Sequence, residues 1–112
     1  MMFLRKFAPS MSQLLAFDAA ARLGSFTEAA SELCLTQSAI SRHIQELEGL
    51  LQADLFTRRG RRISLTTEGA RYAREIAGAL ARIRNASIDI YESRLQSGAL
   101  QLAVLPIFSS KW

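Results

Sequence analysis

A group of polar side chains lies on one face of the helix predicted within the stretch LTQSAISRHIQELE, residues 35–48. At about 100° per residue, these side chains fall within about 140° of one another, and apolar residues occupy the opposite face. The polar residues are Gln37, Ser38, Ser41, Arg42 and Gln45. Their groups can contact base edges in DNA, glutamine pairing with adenine, arginine with guanine and serine with either. The face is a candidate base-contacting surface, and its alternative is an ordinary solvated helix face.

Three neighbouring features favour the DNA-contacting interpretation. A short helix is predicted to end just before this one begins, with Ala30, Cys34 and Ile40 at the spacing of a helix-turn-helix motif. An arginine-rich hairpin is predicted directly after it. The polar face also lacks the Lys and Glu residues that a merely solvated face usually carries. Together these features predict a winged helix-turn-helix.

Positive charge is concentrated beside that face. The net charge is only +4, but residues 55–74 hold six arginines against one acid, Glu68. Four of the six lie in the RRGRR sequence and are Arg58, Arg59, Arg61 and Arg62. Like charges so close together repel one another, and an anionic partner offsets that cost. We therefore predict that this tip contacts DNA, mostly at phosphates, rather than forming an ordinary solvated turn.

The helices that position these groups follow from capping signals. Ser25 and Glu28 have the spacing of a capping box at the start of the second helix. Thr36 is a natural N-cap for the third. The three predicted helices cover residues 11–23, 26–33 and 37–51.

A hairpin and a long helix complete the predicted fold. Two short β-prone segments flank Gly60, and a helix with Thr67 as its N-cap follows, running to about Gln96. The predicted fold is mainly α: a winged helix-turn-helix of three helices and a two-stranded wing, followed by a long linker helix. Residues 98–112 alternate and then become fully apolar, which predicts a strand. We expect three parts: a DNA-binding domain (1–66), a linker and dimerisation helix (67–97) and the first strand of a truncated effector-binding domain (98–112).

The linker helix carries two apolar stripes, one of them close to a heptad spacing. One stripe could pack on the chain's own first helix, and the other then needs a partner, because a lone helix of this length would expose too much apolar surface. We predict a homodimer, the alternative being packing against the absent domain. The predicted dimerisation residues are Ala73, Ile76, Leu80, Ile83, Ile90 and Tyr91.

Other classes of function find little support. One His and one Cys do not make a metal site of the usual spacing, and no phosphate-cradling glycine loop occurs, so we expect no enzyme and no cofactor in this part of the protein. His43 is expected at the edge of the core and Cys34 as a small, semi-buried residue of the turn. A single cysteine and the absence of a long apolar run predict a cytoplasmic protein without a membrane partner.

Four motifs, in this order, resemble the N-terminal domain of LysR-type transcriptional regulators over about residues 10–97: SFTEAASEL, TQSAISRHIQELE, LFTRR and LTTEG. The tail GALQLAVLPIF resembles the first strand of that family's effector-binding domain, and its LxxLPxF pattern resembles the branch around the glycine-cleavage activator. One departure is Gln52, where the family usually has Gly. A left-handed C-cap there favours Gly, so a less sharp end of the third helix is expected.

The resemblance implies that Thr36, Gln37, Ser38, Ser41 and Arg42 enter the major groove and that the arginine tip forms a wing on phosphates or in the minor groove. It also implies paired linker helices, giving a homodimer or tetramer. A small molecule, which the sequence does not identify, is expected to bind the absent C-terminal domain. RNA polymerase is a further expected partner.

The leading hypothesis is a sequence-specific regulator that binds a two-fold symmetric operator in double-stranded DNA as a dimer or higher oligomer. The alternative is a structural DNA-binding protein without sequence preference. A helical protein-interaction module without any nucleic-acid role is a third class, and it predicts no salt-sensitive DNA binding.

Overall fold

The computed structural model describes residues 7–59 and 62–97. Gly60, Arg61 and the strand predicted in residues 98–112 lie outside this part. The described residues form four helices and one antiparallel hairpin, so the prediction of a mainly helical fold is confirmed. The elements are α1 (Met11–Leu23), α2 (Phe26–Leu33), α3 (Gln37–Leu51), β1 (Phe56–Arg59), β2 (Arg62–Leu65) and α4 (Thr67–Gln96).

Hydroxyl groups cap the first three helices. A complete capping box joins Ser10 and Gln13 at α1. At α2 the structure forms the serine half of the predicted box, the Ser25 hydroxyl accepting from the backbone N–H of Glu28 at 3.1 Å. At α3 the Thr36 hydroxyl accepts from the N–H of Ala39 at 3.0 Å, as predicted. Each bond satisfies a donor that the helix itself leaves without an acceptor.

The cap of α4 differs from the prediction. The N–H of Gly69 donates to the hydroxyl of Thr66 at 2.9 Å, so Thr66 is the N-cap and Thr67 is the first helical residue. The Thr66 hydroxyl also donates to the carbonyl of Asp54 at 2.6 Å, which holds this residue outside the helix. A bond across the fold therefore selects between two adjacent threonines.

Two helices end on left-handed residues other than glycine. Cys34 ends α2 at φ 58°, and Gln52 ends α3 at φ 56° with its N–H donating to the carbonyl of Glu48. The expectation of a less sharp end at Gln52 is wrong, because the backbone adopts the left-handed cap despite the side chain. An L residue pays conformational energy there that glycine avoids.

The described part of the chain divides into two compact units, with the boundary between residues 77 and 78. In the first, a core from α1, α2, α3 and β1 contains the large side chains Phe17, Ile40, Ile44, Leu47 and Leu55, all essentially without solvent exposure. Small buried residues such as Ala20 and Ala29 let the helices approach closely. The unit extends past β2 because the first turns of α4 pack on this core, the Tyr72 ring lying 5.4 Å from that of Phe17.

Hydrogen bonds with a side chain of α3 and with the backbone at the start of α4 hold the first residues of the wing. One carboxylate oxygen of Glu48 accepts from the N–H groups of Leu55 at 2.8 Å and Phe56 at 3.3 Å. The carbonyl of Leu55 accepts from the N–H of Thr66 at 3.0 Å, so the start of β1 and the start of α4 are tied together. These bonds set where the hairpin leaves the helical core.

The second unit contains the helical residues 78–96. Several of its apolar side chains are exposed, including Ile83 (49%) and Ile90 (69%). Within the described ranges, no helix is both long and apolar enough to cross a membrane.

Candidate nucleic-acid interface

The polar face predicted on α3 is present and turned away from the core. Thr36, Gln37, Ser38, Arg42 and Gln45 are exposed, and Ser41 is half-buried. On the opposite side of the same helix, Ile40, Ile44 and Leu47 have no solvent exposure. The helix is therefore held by its apolar side and leaves its hydrogen-bonding groups available to a ligand.

The first turn of α2 contacts two of the predicted DNA-facing residues. The Thr27 hydroxyl donates to the side-chain oxygen of Gln37 at 3.2 Å. The guanidinium of Arg58 lies over the Phe26 ring, 5.1 Å from its centre, a cation–π arrangement. A residue from α3 and a residue from β1 are thus both held by α2.

These contacts border an open cavity of about 480 Å³ on the same side of the molecule as the polar face. It is lined by Ser25, Phe26, Thr27, Gln37, Ser41, Arg58 and Ile63. Sequence reasoning missed Phe26 and Thr27 as contributors, because their partners lie ten or more residues away and no periodicity joins them. Hydroxyl, amide and guanidinium groups around one opening suit an anionic, hydrogen-bonding surface such as DNA.

The wing is a short hairpin with arginines at its end. Arg59 pairs with Arg62 and Arg58 with Ile63 across the two strands. All three of these arginines are exposed, while the fourth predicted one, Arg61, lies outside the described residues. Like charges directly opposite each other destabilise a strand pair, so the hairpin gains from a nearby anion.

One group of acidic and basic side chains in the first unit forms ion pairs within α1 and between α1 and α2. Arg22 on α1 forms a two-pronged hydrogen-bonded ion pair with Glu32 on α2, and Asp18 lies 3.7 Å from the same guanidinium. The bond from Arg22 lowers the pKa of Glu32 below its usual 4.5, and the same bond raises the pKa of Arg22. The Arg22 side chain therefore joins α1 to α2.

His43 lies at the edge of the core, whereas Cys34 is exposed to solvent. The His43 side chain is 18% exposed at the edge of the core, as predicted, with its Nδ1 atom 3.7 Å from a Glu46 oxygen. Cys34 is exposed, so the prediction of a semi-buried residue is wrong. Its left-handed backbone ends α2 at this point. Within the described part of the chain, no group of three or more His, Cys, Asp or Glu residues could hold a metal ion.

The residues predicted for dimerisation fall into two environments. Ala73 is half-buried and packs against the core of the first unit. Ile76, Leu80 and Tyr91 are also half-buried, whereas Ile83 and Ile90 are exposed. Ile83 and Ile90, both in the second unit, are thus the most accessible of the six predicted dimerisation residues.

Comparisons with known proteins identify related chains. A sequence model described as bacterial regulatory helix-turn-helix protein, lysR family, matches residues 11–70. The chain is 41% identical to the glycine cleavage system transcriptional activator of Escherichia coli and 36% identical to the AhcY transcriptional activator HvrB of Rhodobacter capsulatus. Each match covers 93% of this chain but only 34% and 35% of those proteins, so the chain spans about a third of their length.

A solved structure has the same fold. The crystal structure of the BenM_DBD/benA site 1 DNA complex superposes with a TM-score of 0.69 at 30% sequence identity. The match covers 74% of this chain and 96% of that one.

Proposed function

Because this chain belongs to the lysR family of bacterial regulatory helix-turn-helix proteins, we propose that it is the DNA-binding part of a sequence-specific transcriptional regulator. The family resemblance inferred from the four sequence motifs is thereby confirmed. The target is double-stranded DNA, in which the protein binds a two-fold symmetric operator as a dimer or higher oligomer. A bacterial regulator of this kind acts in the cytoplasm, beside the chromosome.

The observation that carries the proposal is the two-sided character of α3. On its apolar side Ile40, Ile44 and Leu47 are completely buried. Its exposed side presents Gln37, Ser38, Arg42 and Gln45 together with half-buried Ser41. These groups hydrogen-bond to base edges, with Thr36 at the helix start close to the same groove. A related chain of the same fold has been crystallised as a DNA complex, which supports placing this surface on DNA.

The wing arginines supply a second kind of contact. Arg59 and Arg62 are exposed at the end of the hairpin, and Arg58 is held beside the α3 face by the Phe26 ring. We assign these residues and Arg61 to phosphate or minor-groove contacts, which fix the position of the protein on the duplex rather than its sequence preference.

The direct test is selection of bound duplexes from a randomised pool at about 150 mM salt, where non-specific binding is weakened. Enrichment of a two-fold symmetric site with separated half-sites is the expected result. Strong binding without enrichment would support the alternative, a structural DNA-binding protein in which the arginine wing dominates. Absence of salt-sensitive DNA binding would refute both.

Two substitutions separate base contacts from phosphate contacts. Arg42→Ala should relax the preference at one base position by about 1–3 kcal/mol. Arg59→Ala should weaken binding to all sequences and reduce the slope of log affinity against log salt concentration by about one. The control is Arg84→Ala, which removes one exposed charge from the second unit. Equal effects of Arg42→Ala on selected and random DNA would contradict the sequence-specific function.

We further propose that the exposed apolar residues of α4, above all Ile83 and Ile90, pair with the same residues of a second copy. An isologous contact buries an apolar stripe on both chains at once and gives the two-fold symmetry that the operator shares. Ile83→Lys should lower the fraction of dimer in sedimentation equilibrium, whereas Gln96→Lys, a charge added at an exposed polar position, should not. Equal dimer fractions in both variants would exclude this stripe from the interface.

The longer relatives suggest the remaining partners. We propose that the whole protein binds a small-molecule effector in a C-terminal domain and that the bound oligomer acts on RNA polymerase. Both follow from the family's regulatory role, and the test is transcription from a selected operator in the presence of candidate effectors.

A further inference from the structure

We infer that Thr27 is a positioning residue for base recognition: its hydroxyl holds the side-chain amide of Gln37 at the place where that amide meets a DNA base. The inference rests on the proposed function, since it requires Gln37 to contact DNA. It adds a residue on α2 that sets specificity through its contact with α3.

The hydroxyl of Thr27, on a helix packed in the core, lies beside the flexible side chain of Gln37. Thr27 is the second residue of α2, a helix anchored in the core by Ala29 (0% exposed) and Ala30 (6%) and capped by Ser25. Gln37 is the first residue of α3, and its exposed side chain has three rotatable bonds. The hydroxyl-to-oxygen bond of 3.2 Å joins them across the helix-turn-helix, at the edge of the cavity that faces the wing.

The chemical consequence concerns the two ends of the amide. A glutamine amide has an oxygen with two acceptor sites and a nitrogen with two donors, and rotation about its last bond exchanges them. Recognition of adenine needs the oxygen to accept from N6 while the nitrogen donates to N7. With the Thr27 hydroxyl donating to the oxygen, one acceptor site and both donors remain for the base. In the exchanged orientation the amide nitrogen would donate to the same hydroxyl, so the bond holds the amide group in place in either orientation.

The orientation in the structure, in which the Thr27 hydroxyl donates to the amide oxygen, suits adenine at the position that Gln37 contacts. A side chain held before binding loses less conformational entropy on binding, and its amide group is already in place. Exclusion of water by the DNA strengthens the hydrogen bond, because competition from solvent is removed. Discrimination between bases at this position therefore depends on a residue outside the base-contacting face.

The test measures base preference at each position of the site selected by the unmodified chain. Gln37→Ala first identifies the position that Gln37 contacts. Thr27→Val, which replaces the hydroxyl by a methyl group of similar size, should lower the preference at that position alone by about threefold to tenfold, the range for one neutral hydrogen bond. Thr27→Ser keeps the hydroxyl and should retain the preference. The control is Thr67→Val, the same change at an exposed position in the first turn of α4.

The double variant Thr27→Val with Gln37→Ala should show no loss of preference beyond that of Gln37→Ala alone, because Thr27 acts through Gln37. If Gln37→Ala removes a preference that Thr27→Val leaves intact, the inference is overturned while base contact by Gln37 stands. If Gln37→Ala changes no position, the base-contacting role of Gln37 fails and the inference with it. Uniform weakening at all positions by Thr27→Val, with a lower Tm, would assign Thr27 a structural role only.

Discussion

Replacing Gly69 by alanine should destabilise the junction between the wing and α4, although alanine normally favours a helix. Gly69 is buried in the first turn of α4, and its backbone lies against the start of β1. A Cβ atom at this position would lie 2.0 Å from the carbonyl oxygen of Leu55 and 2.9 Å from its carbonyl carbon. That oxygen already accepts from the N–H of Thr66, so the methyl group would press on the bond that joins wing and helix.

Two opposing contributions determine how much Gly69→Ala changes the free energy of unfolding. Separations under 3.0 Å are essentially never seen for real Cβ atoms, so the 2.0 Å approach requires these atoms to move apart by about 1 Å. The obstructing atoms belong to the backbone and have no alternative rotamer, which places the cost near the upper end of overpacking, about 3 kcal/mol. The helix propensity of alanine offsets about 1 kcal/mol of this. The expected net loss is about 2 kcal/mol, which lowers the Tm of a domain of this size by roughly 8–16 °C.

Thermal and urea unfolding of the 112-residue chain measures this effect. Gly49→Ala and Gly78→Ala are matched controls, because both glycines are exposed and helical and an added Cβ would meet nothing within 4 Å. These controls should gain up to about 1 kcal/mol from helix propensity. A Gly69→Ala variant as stable as the controls would refute the close approach of α4 to Leu55.

Further predictions concern the ties between elements. Glu48→Ala should lower the free energy of unfolding by about 1–3 kcal/mol, because the N–H groups at the start of β1 lose their acceptor. In urea unfolding, the control Glu46→Ala, at an exposed position, should lower it by less than about 0.5 kcal/mol. Equal losses in the two variants would contradict the role of Glu48 as that acceptor. Gln52→Gly should raise the Tm, because glycine removes the conformational energy of about 1 kcal/mol that an L residue has at φ 56°. A lower Tm in this variant would argue against backbone strain at Gln52. Because the fold lowers the pKa of Glu32, the stability from its pair with Arg22 is present above pH 4.5 and is lost as the pH falls below that value. As the pH falls below 4.5, the Tm of the Arg22→Gln variant should therefore decrease less than that of the unmodified chain. An equal decrease in both would exclude the Arg22–Glu32 pair as a source of the acid sensitivity.

Much of the local structure was predictable because its causes lie close together in the chain. The bounds of α1, α2 and α3, the Thr36 cap and the two faces of α3 follow from capping chemistry and helical periodicity, which act over a few residues. The choice of Thr66 over Thr67 as a cap was not predictable in this way. It depends on the carbonyl of Asp54, which only the folded hairpin brings near.

The sequence by itself determined the fold class, the family and the polar face of α3, since each depends on residue types at fixed spacing along the chain. Only the tertiary structure decided which groups meet across elements. It placed Thr27 on Gln37, Phe26 under Arg58, and the Gly69 backbone against Leu55. The physical reason is that these contacts arise when separately predictable helices pack, and their distances depend on side-chain volumes and backbone paths summed over the whole core.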